Sequence, residues 1–250
     1  MSLPGLDDWL APSRPLAPGV SVCVTTRAGT FSPAPWDGFN LGLNCGDEPG
    51  RVTRAREHVA EVLGIRPVWL AQVHGTDILD AAAARGDGSE QADGCISRRP
   101  GDAAVVLTAD CVPVVLARQD GTAVGAIHAG WRGLQAGILE RACALMAADG
   151  ESLAAWVGPA ICAHCYQVDA PVRDAFVGAQ PSDAAFFHED GPGHWRFDLP
   201  GLSRQRLIQA GVEQVSGGDW CTVCHNHRFY SHRQAQPTGR FATLIWLNTR

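Results

Sequence analysis

A chain of 250 residues with 46% apolar and 18% charged side chains has the make-up of a soluble globular protein and can bury a sizeable core. Its formal net charge is −6 and its basic residues are scattered, which argues against nucleic acid as the main partner, since a phosphate backbone calls for a basic face. No run approaches the roughly 18 consecutive apolar residues of a membrane helix, and Met1 to Asp8 lacks the basic and apolar regions of a signal peptide, so a cytoplasmic location without a membrane partner is expected.

The whole chain, 1–250, reads as one domain. Residues 1–19 are rich in Pro and Gly and form an irregular lead-in. Val20 to Thr26 alternates as a strand does, and Arg27 opens a Gly/Pro-rich loop that runs to Gly50. Thr53 to Leu63 carries a helical stripe of Val52, Ala55, Val59 and Val62, with Gly64 as its C-cap. Val68 to Val73 is a strand that delivers His74, residues 81–92 are a surface loop, and Ala103 to Leu107 is a further strand ending at Thr108-Ala109-Asp110-Cys111.

A hairpin follows, with Val112 to Ala117 and Thr122 to His128 as its arms. If Asp120-Gly121 is a two-residue turn, paired positions sum to 241, so Pro113 lies opposite His128. Cys111 shares the parity of Pro113 and faces the same side, one diagonal step from His128. Such neighbours lie about 7–8 Å apart at the backbone, a gap that two inward-leaning ligands can close on a metal. A three-residue loop would shift the register and break the argument. Beyond His128, the turn Ala129-Gly130-Trp131-Arg132-Gly133 feeds a helix from Leu134 to Ala148. A strand near Ala154 to Val157, helices over Pro171 to Val177 and Leu202 to Ala210, and a closing strand Phe241 to Leu247 complete the reading. Strands and helices mix without a βαβ rhythm, which indicates an α+β sheet sandwich.

His74, Cys111 and His128 thus form a trio of soft-metal ligands at strand ends. Two imidazoles and a thiolate hold Zn2+ or Cu2+ while leaving a coordination position open, the mark of a catalytic rather than a structural metal. Residue types alone leave two other readings standing. The three side chains can be ordinary packing, or Cys111 can be a nucleophile with His74 or His128 as its base. Nine cysteines cannot all pair, and without an export signal reduced thiols and metal ligation are the better reading. Cys162-Ala163-His164-Cys165 and Cys221-Thr222-Val223-Cys224 are two C-x-x-C units, but the 55 residues between them exceed the usual zinc spacing, so ordinary thiols are the default there. His225, His227 and His232 read as a polar surface or pocket rim. Asp93 and Asp110 either orient the imidazoles or satisfy turn amides. Arg27, Arg132, Arg233 and Arg240 are candidates for an anionic group, or surface residues. The glycines before the helix also leave amides for an anion.

Thr25-Thr26-Arg27, Asn40-Leu41-Gly42, Gln72-Val73-His74, Ala92-Asp93-Gly94, Thr108-Ala109-Asp110-Cys111, His128-Ala129-Gly130-Trp131-Arg132-Gly133, Gly158-Pro159, Tyr166, Ser231-His232-Arg233 and Gly239-Arg240 occur in this order over nearly the whole chain. Together they resemble the laccase-domain proteins, also called multicopper polyphenol oxidases and described as purine nucleoside phosphorylases and as relatives of a peptidoglycan editing factor. The resemblance implies a four-layer α/β/β/α sandwich of mixed sheets, related in geometry to the cytotoxic-necrotizing-factor deamidase domain. It implies zinc, or sometimes copper, on His74, Cys111 and His128. It also implies phosphorolysis of adenosine, inosine and 5′-methylthioadenosine, with adenosine deamination beside it. Arg27, Asn40, Asp93, Asp110, Arg132 and Arg233 are then the expected nucleoside- and phosphate-binding residues, with Arg27 and Arg132 the expected phosphate contacts. Two positions depart from the family pattern. Cys162 stands where a Gly is usual and Gln167 where a Glu is usual, which puts an acid–base role at 167 in doubt. Two competing functions are a cysteine or zinc amidase acting on a peptidoglycan precursor and a copper-dependent polyphenol oxidase. The second is poorly served by one Cys/His₂ trio.

Overall fold

In the computed structural model, which describes residues 5–147 and 149–249, the chain order is β1 (Val20–Val24), α1 (Pro49–Leu63), β2 (Arg66–Ala71), β3 (Ile78–Asp80), β4 (Asp87–Gln91), β5 (Gly94–Ser97), β6 (Asp102–Thr108), β7 (Val112–Arg118) and β8 (Val124–Ala129). The second half runs α2 (Trp131–Gln135), α3 (Ile138–Met146), β9 (Leu153–Val157), β10 (Gln167–Asp169), α4 (Ala170–Ala179), β11 (Phe187–Glu189), β12 (His194–Phe197), α5 (Leu199–Gln209), β13 (Gln214–Gly217) and β14 (Phe241–Leu247). Met1–Pro4 of the expected lead-in and Ala148, the expected helix end, lie outside the described residues.

The strands form a five-stranded sheet, β1-β14-β6-β2-β4, a six-stranded sheet, β13-β9-β7-β8-β5-β3, and a small one, β10-β12-β11. The two large sheets are mixed, and their central strands read as continuous apolar runs because both faces are covered. Alternation within those runs assigns each face. Ala103 and Val105 point outward to α1, where Ala55 and Val59 meet them, while Ala104 and Val106 point inward. Val115 and Ala117 face them from the other sheet, and Val114 and Leu116 point away, under Leu134, Ile138, Leu202 and Leu207. Helix, sheet, sheet and helix are therefore stacked as four layers, the expected α+β arrangement. Each buried Val or Leu contributes about 1.5–3 kcal/mol, so the seam between the sheets is among the most strongly held parts of the molecule. Among the described residues no helix is long and apolar enough to cross a membrane.

The hairpin has the expected register, with Pro113 opposite His128 and Val112 opposite Ala129. The ladder extends to Arg118, whose N–H bonds the carbonyl of Ala123, so the loop holds four residues rather than two. Both lengths are even and keep the same pairing, which is why the register survives.

Other boundaries differ. The first helix begins at Pro49, not Thr53: proline fits the first helical position and the Glu48 carboxylate caps the Gly50 amide. The expected surface loop 81–92 contains β4, a polar strand, Asp-Gly-Ser-Glu-Gln, at a sheet edge. The expected helix from Leu134 to Ala148 starts earlier, at Trp131, and is broken into α2 and α3 at Gly137, whose φ of 86° lies in the left-handed region. Within the expected lead-in, Leu6–Asp8 forms a 3-10 turn and Leu10 makes a bridge to Val24.

Candidate metal centre

The first two ligands meet where the chain passes from one large sheet to the other. His74 follows β2 of the five-stranded sheet, Cys111 sits in the corner between β6 and β7, and His128 lies in β8 of the six-stranded sheet. One donor atom from each lies within 4.8 Å of the others, and Cys111 Sγ is 3.8 Å from His74 Nε2. The rings of His74 and His128 are 4.8 Å apart, edge to face.

The backbone here is bent to purpose. Among the described residues only His74 (φ 61°) and Asp110 (φ 91°) are non-glycines with positive φ, and one is a candidate ligand while the other precedes one. Such residues cost about 1–3 kcal/mol each and persist only where surrounding bonds hold them. For His74 that bond set is Asp93. This buried carboxylate accepts the amides of Val73 (3.1 Å), His74 (2.9 Å) and Gly75 (2.7 Å). Its Oδ1 also receives His128 Nδ1 at 2.8 Å. A carboxylate only accepts, so Nδ1 carries the proton and Nε2 is left as the donor of His128. Asp93 therefore fulfils both sequence readings at once, orienting an imidazole and satisfying turn amides.

Charge completes the picture. Burial disfavours ionisation of Asp93, but the bonds from His128, Gly75 and Val73 outweigh it and hold the carboxyl below its ordinary value. Burial likewise opposes a thiolate at Cys111, yet His128 and His74 pull its pKa from 9.0 down to about 6. Burial opposes an imidazolium at His128, yet Cys111 and Asp93 push it from 6.5 up to about 9. A site that stabilises a thiolate and turns His128 Nε2 towards it can hold a soft metal in place of the Nε2 proton, or keep the thiolate–imidazolium pair of a cysteine nucleophile. Gly130 fits the same conclusion: a Cβ there would meet His74 Cδ2 at 2.8 Å, Cys111 Sγ at 3.2 Å and His128 Cε1 at 3.4 Å.

Two hollows flank the trio and share Ala109, Cys111 and His232 as lining. The first, about 310 Å³, is also lined by His74, His128, Gln72, Asn44, Arg56 and Arg240, and by no carboxylate among the described residues. The second, about 460 Å³, is lined by Asp110, Tyr166, Leu199, Arg233 and Gln236. Both volumes suit small molecules.

The remaining expected residues fall in different places. Asn40 is buried behind the first hollow, bonded to Asp47 and to the amides of Gly42 and Arg240, so it shapes the Gly42–Cys45 wall. Asp110 touches neither imidazole. It accepts Thr222 Oγ1 (2.6 Å) and the Arg233 amide (2.7 Å), tying two later segments to the Cys111 corner. Arg233 lines the second hollow, stacks over Tyr166 and bonds the Gln167 carbonyl. Arg27 is paired with Asp37, bonded to the Asn226 carbonyl and stacked over Tyr230, and it lines neither hollow. Arg132 is exposed, lies over its neighbour Trp131, and also lines neither. Because α2 has only five residues, the glycine turn before it is a weak anion site.

Sequence reasoning missed Arg56, Gln72 and Asn44. Arg56 was legible: it interrupts the apolar stripe of α1 between Val52 and Val59. Its guanidinium is buried over Trp69, bonds the Leu41 carbonyl, and has its pKa lowered to about 10 by burial. Arg240, singled out as an anion candidate, does line the first hollow.

A family model described as multi-copper polyphenol oxidoreductase laccase matches residues 21–248. The chain is 44% identical over 240 residues to the purine nucleoside phosphorylase YfiH of Shigella flexneri, covering 95% of this chain and 98% of that protein. A purine nucleoside phosphorylase of Xylella fastidiosa is 44% identical over 253 residues, covering 96% and 95%. The crystal structure of a Neisseria meningitidis protein superposes with a TM-score of 0.92 at 39% identity over 97% of this chain and all of that one. YlmD from Geobacillus stearothermophilus superposes with a TM-score of 0.89 at 30% identity, over 100% and 98%. The chain belongs to the multi-copper polyphenol oxidoreductase laccase family.

Proposed function

We propose that the protein is a purine nucleoside phosphorylase whose metal site is His74, Cys111 and His128, with zinc as the resident ion. The observation that carries the reading is the pair of unlike hollows meeting at Cys111, which suits a reaction of two substrates. Relatives that match nearly the full chain carry the same activity in their names. In phosphorolysis a phosphate oxygen forms the bond to C1′ while the bond from C1′ to the purine nitrogen breaks, its electrons leaving with the base. When bound, the metal supplies a Lewis acid that stabilises charge developing on the departing base, or acidifies water for deamination of adenosine.

The chain's own groups divide the work. Arg56 and Arg240, in a hollow without a carboxylate, hold phosphate, in place of the Arg27 and Arg132 contacts expected from sequence. Tyr166, held between Phe197 and the Arg233 guanidinium, and Leu199 give the larger hollow the apolar wall against which the nucleoside rests. Asp93 keeps His128 in one tautomer throughout. Adenosine incubated with and without phosphate tests the proposal: phosphate-dependent adenine supports it, inosine alone supports deamination, and neither product overturns both. Arg240→Ala should raise the KM for phosphate and leave that for nucleoside unchanged.

One observation favours a second reading. Cys111, His128 and Asp93 stand in the order of nucleophile, base and orienting carboxylate, as a cysteine amidase requires. Cleavage of an amide-bearing cell-wall precursor by metal-stripped protein, abolished by iodoacetamide, would select that reading over phosphorolysis.

A further inference from the structure

The 55 residues between the two C-x-x-C units are spanned by the fold itself. Strand β9 ends at Val157 and β13 at Gly217, and the two pair in parallel with Val157 opposite Gly217. Parallel partners end at the same side of a sheet, so the segments that follow both leave there. Five residues after β9 comes Cys162, and four after β13 comes Cys221. An added bridge fastens them: the Ala160 amide bonds the Trp220 carbonyl (3.1 Å) and the Thr222 amide bonds the Ala160 carbonyl (3.1 Å).

Each unit is a tight turn. The Cys165 amide bonds the Cys162 carbonyl at 3.0 Å, and the His225 amide bonds the Cys221 carbonyl at 2.9 Å, which brings both sulfurs of a unit to one side. All four sulfurs lie within 4.8 Å of one another. Cys165 Sγ and Cys224 Sγ are 3.6 Å apart, well beyond a disulfide of about 2.05 Å. With metal–sulfur bonds of about 2.3 Å, a tetrahedron has edges of about 3.8 Å, close to that separation. Two amides, of Cys162 (3.4 Å) and Cys224 (3.5 Å), converge on Cys221 Sγ, an arrangement that serves an anionic sulfur.

From this geometry we infer that Cys162, Cys165, Cys221 and Cys224 form a structural zinc site, distinct from the His74–Cys111–His128 centre. Four thiolates close the coordination sphere, so the site holds structure rather than substrate. What it holds is the wall of the second hollow. Tyr166 follows Cys165 directly, and Asp110 binds both turns, accepting the Ile161 amide on its carbonyl (2.9 Å) and Thr222 Oγ1 on its carboxylate (2.6 Å). The zinc thus braces Tyr166 and the Arg233 segment against the Cys111 corner.

Metal analysis of the full chain, purified with zinc as the sole added metal under reducing conditions, tests this directly. Two equivalents are expected in the unaltered protein, one in the His74→Ala/His128→Ala variant, and one in Cys165→Ser/Cys224→Ser. In the first variant the four cysteines should resist iodoacetamide until a chelator is added. Zinc-free, folded His74→Ala/His128→Ala protein, with the four cysteines free or joined in two disulfides by mass spectrometry, would overturn the inference. If the variants do not fold, cobalt(II) in the unaltered chain decides: sulfur-to-cobalt charge-transfer intensity for several thiolates supports the site, and intensity for one thiolate sinks it. Neither readout depends on turnover, so failure of this site and failure of the phosphorylase reading are separately visible.

Discussion

The two clusters of metal-type ligands differ in nearly every respect that matters. The His74–Cys111–His128 centre mixes nitrogen and sulfur donors, opens onto two hollows, includes a ligand on a strained backbone and has a buried carboxylate behind it. The four-cysteine cluster uses one donor type, sits on turns without positive φ, lines neither hollow and, among the described residues, has a carboxylate, Asp110, on the Thr222 hydroxyl but none on a sulfur. Strain and second partners collect at the cluster whose three donors would leave a coordination position open. A closed tetrahedral site aims itself, because four sulfurs fix one another through the ion.

The largest expected effect follows from removing the donor shared by both hollows. Cys111→Ala should cost about 1,000-fold in kcat/KM, about 4 kcal/mol of barrier, together with one equivalent of zinc. Full activity in that variant would remove the centre from the mechanism. Next is the contrast in thiol reactivity of the metal-stripped protein. Cys111, lowered to about 6, should be alkylated at a rate that climbs through pH 6 and then levels, as thiolate replaces thiol. Cys165, pushed far up by burial and by its bonds with Cys224 and Cys162, should still be gaining reactivity at alkaline pH. At pH 7 the two should differ by about 100-fold, read by mass spectrometry of pulse-labelled peptides. Equal rates would erase the electrostatic distinction.

Asp93→Asn should cost about 10–100-fold in zinc affinity at the three-ligand centre and leave the four-cysteine equivalent in place. Competition with a chromogenic chelator measures both. The smallest effect belongs to Gly130→Ala. Its φ of −66° admits alanine without backbone strain, so the added methyl acts only by crowding the three ligands. Zinc affinity should fall about tenfold while the Tm of the zinc-free protein shifts by only a few degrees. An unchanged affinity would mean that the ligands yield freely.

Much of this was written locally in the sequence. The β7–β8 register followed from centring the turn on Asp120-Gly121, which four loop residues share with two, and it puts Cys111 and His128 on one face. The closing strand Phe241–Leu247 announced itself by its apolar run. What stayed hidden depended on partners distant in the chain. Strand β4 has no apolar residue to alternate, so its Asp87–Gln91 backbone is recognisable only beside β2. The cysteine pairs converge through the parallel ladder of β9 and β13, which no spacing rule contains. Arg27 reads as an anion contact until Asp37 and Tyr230 are seen to claim it. Arg56 was visible as a charge on an apolar stripe, but its purpose needed the hollow it faces.

The corner from Ala109 to Cys111 carries the chain out of the five-stranded sheet and into the six-stranded one, while His74, which follows β2, and His128, in β8, are both tied to Asp93 just ahead of β5. A loaded centre therefore works as a rivet through two plates. With an ion bound, movement of the Cys111 corner against the Asp93-held imidazoles would change the imidazole–sulfur separations, coupling the packing of the sheets to the geometry the ion meets. Substitutions at Val106 or Val115, which face each other across the two sheets behind that corner, would then register as altered metal preference, making the hydrophobic seam a tuning element for the chemistry at its edge.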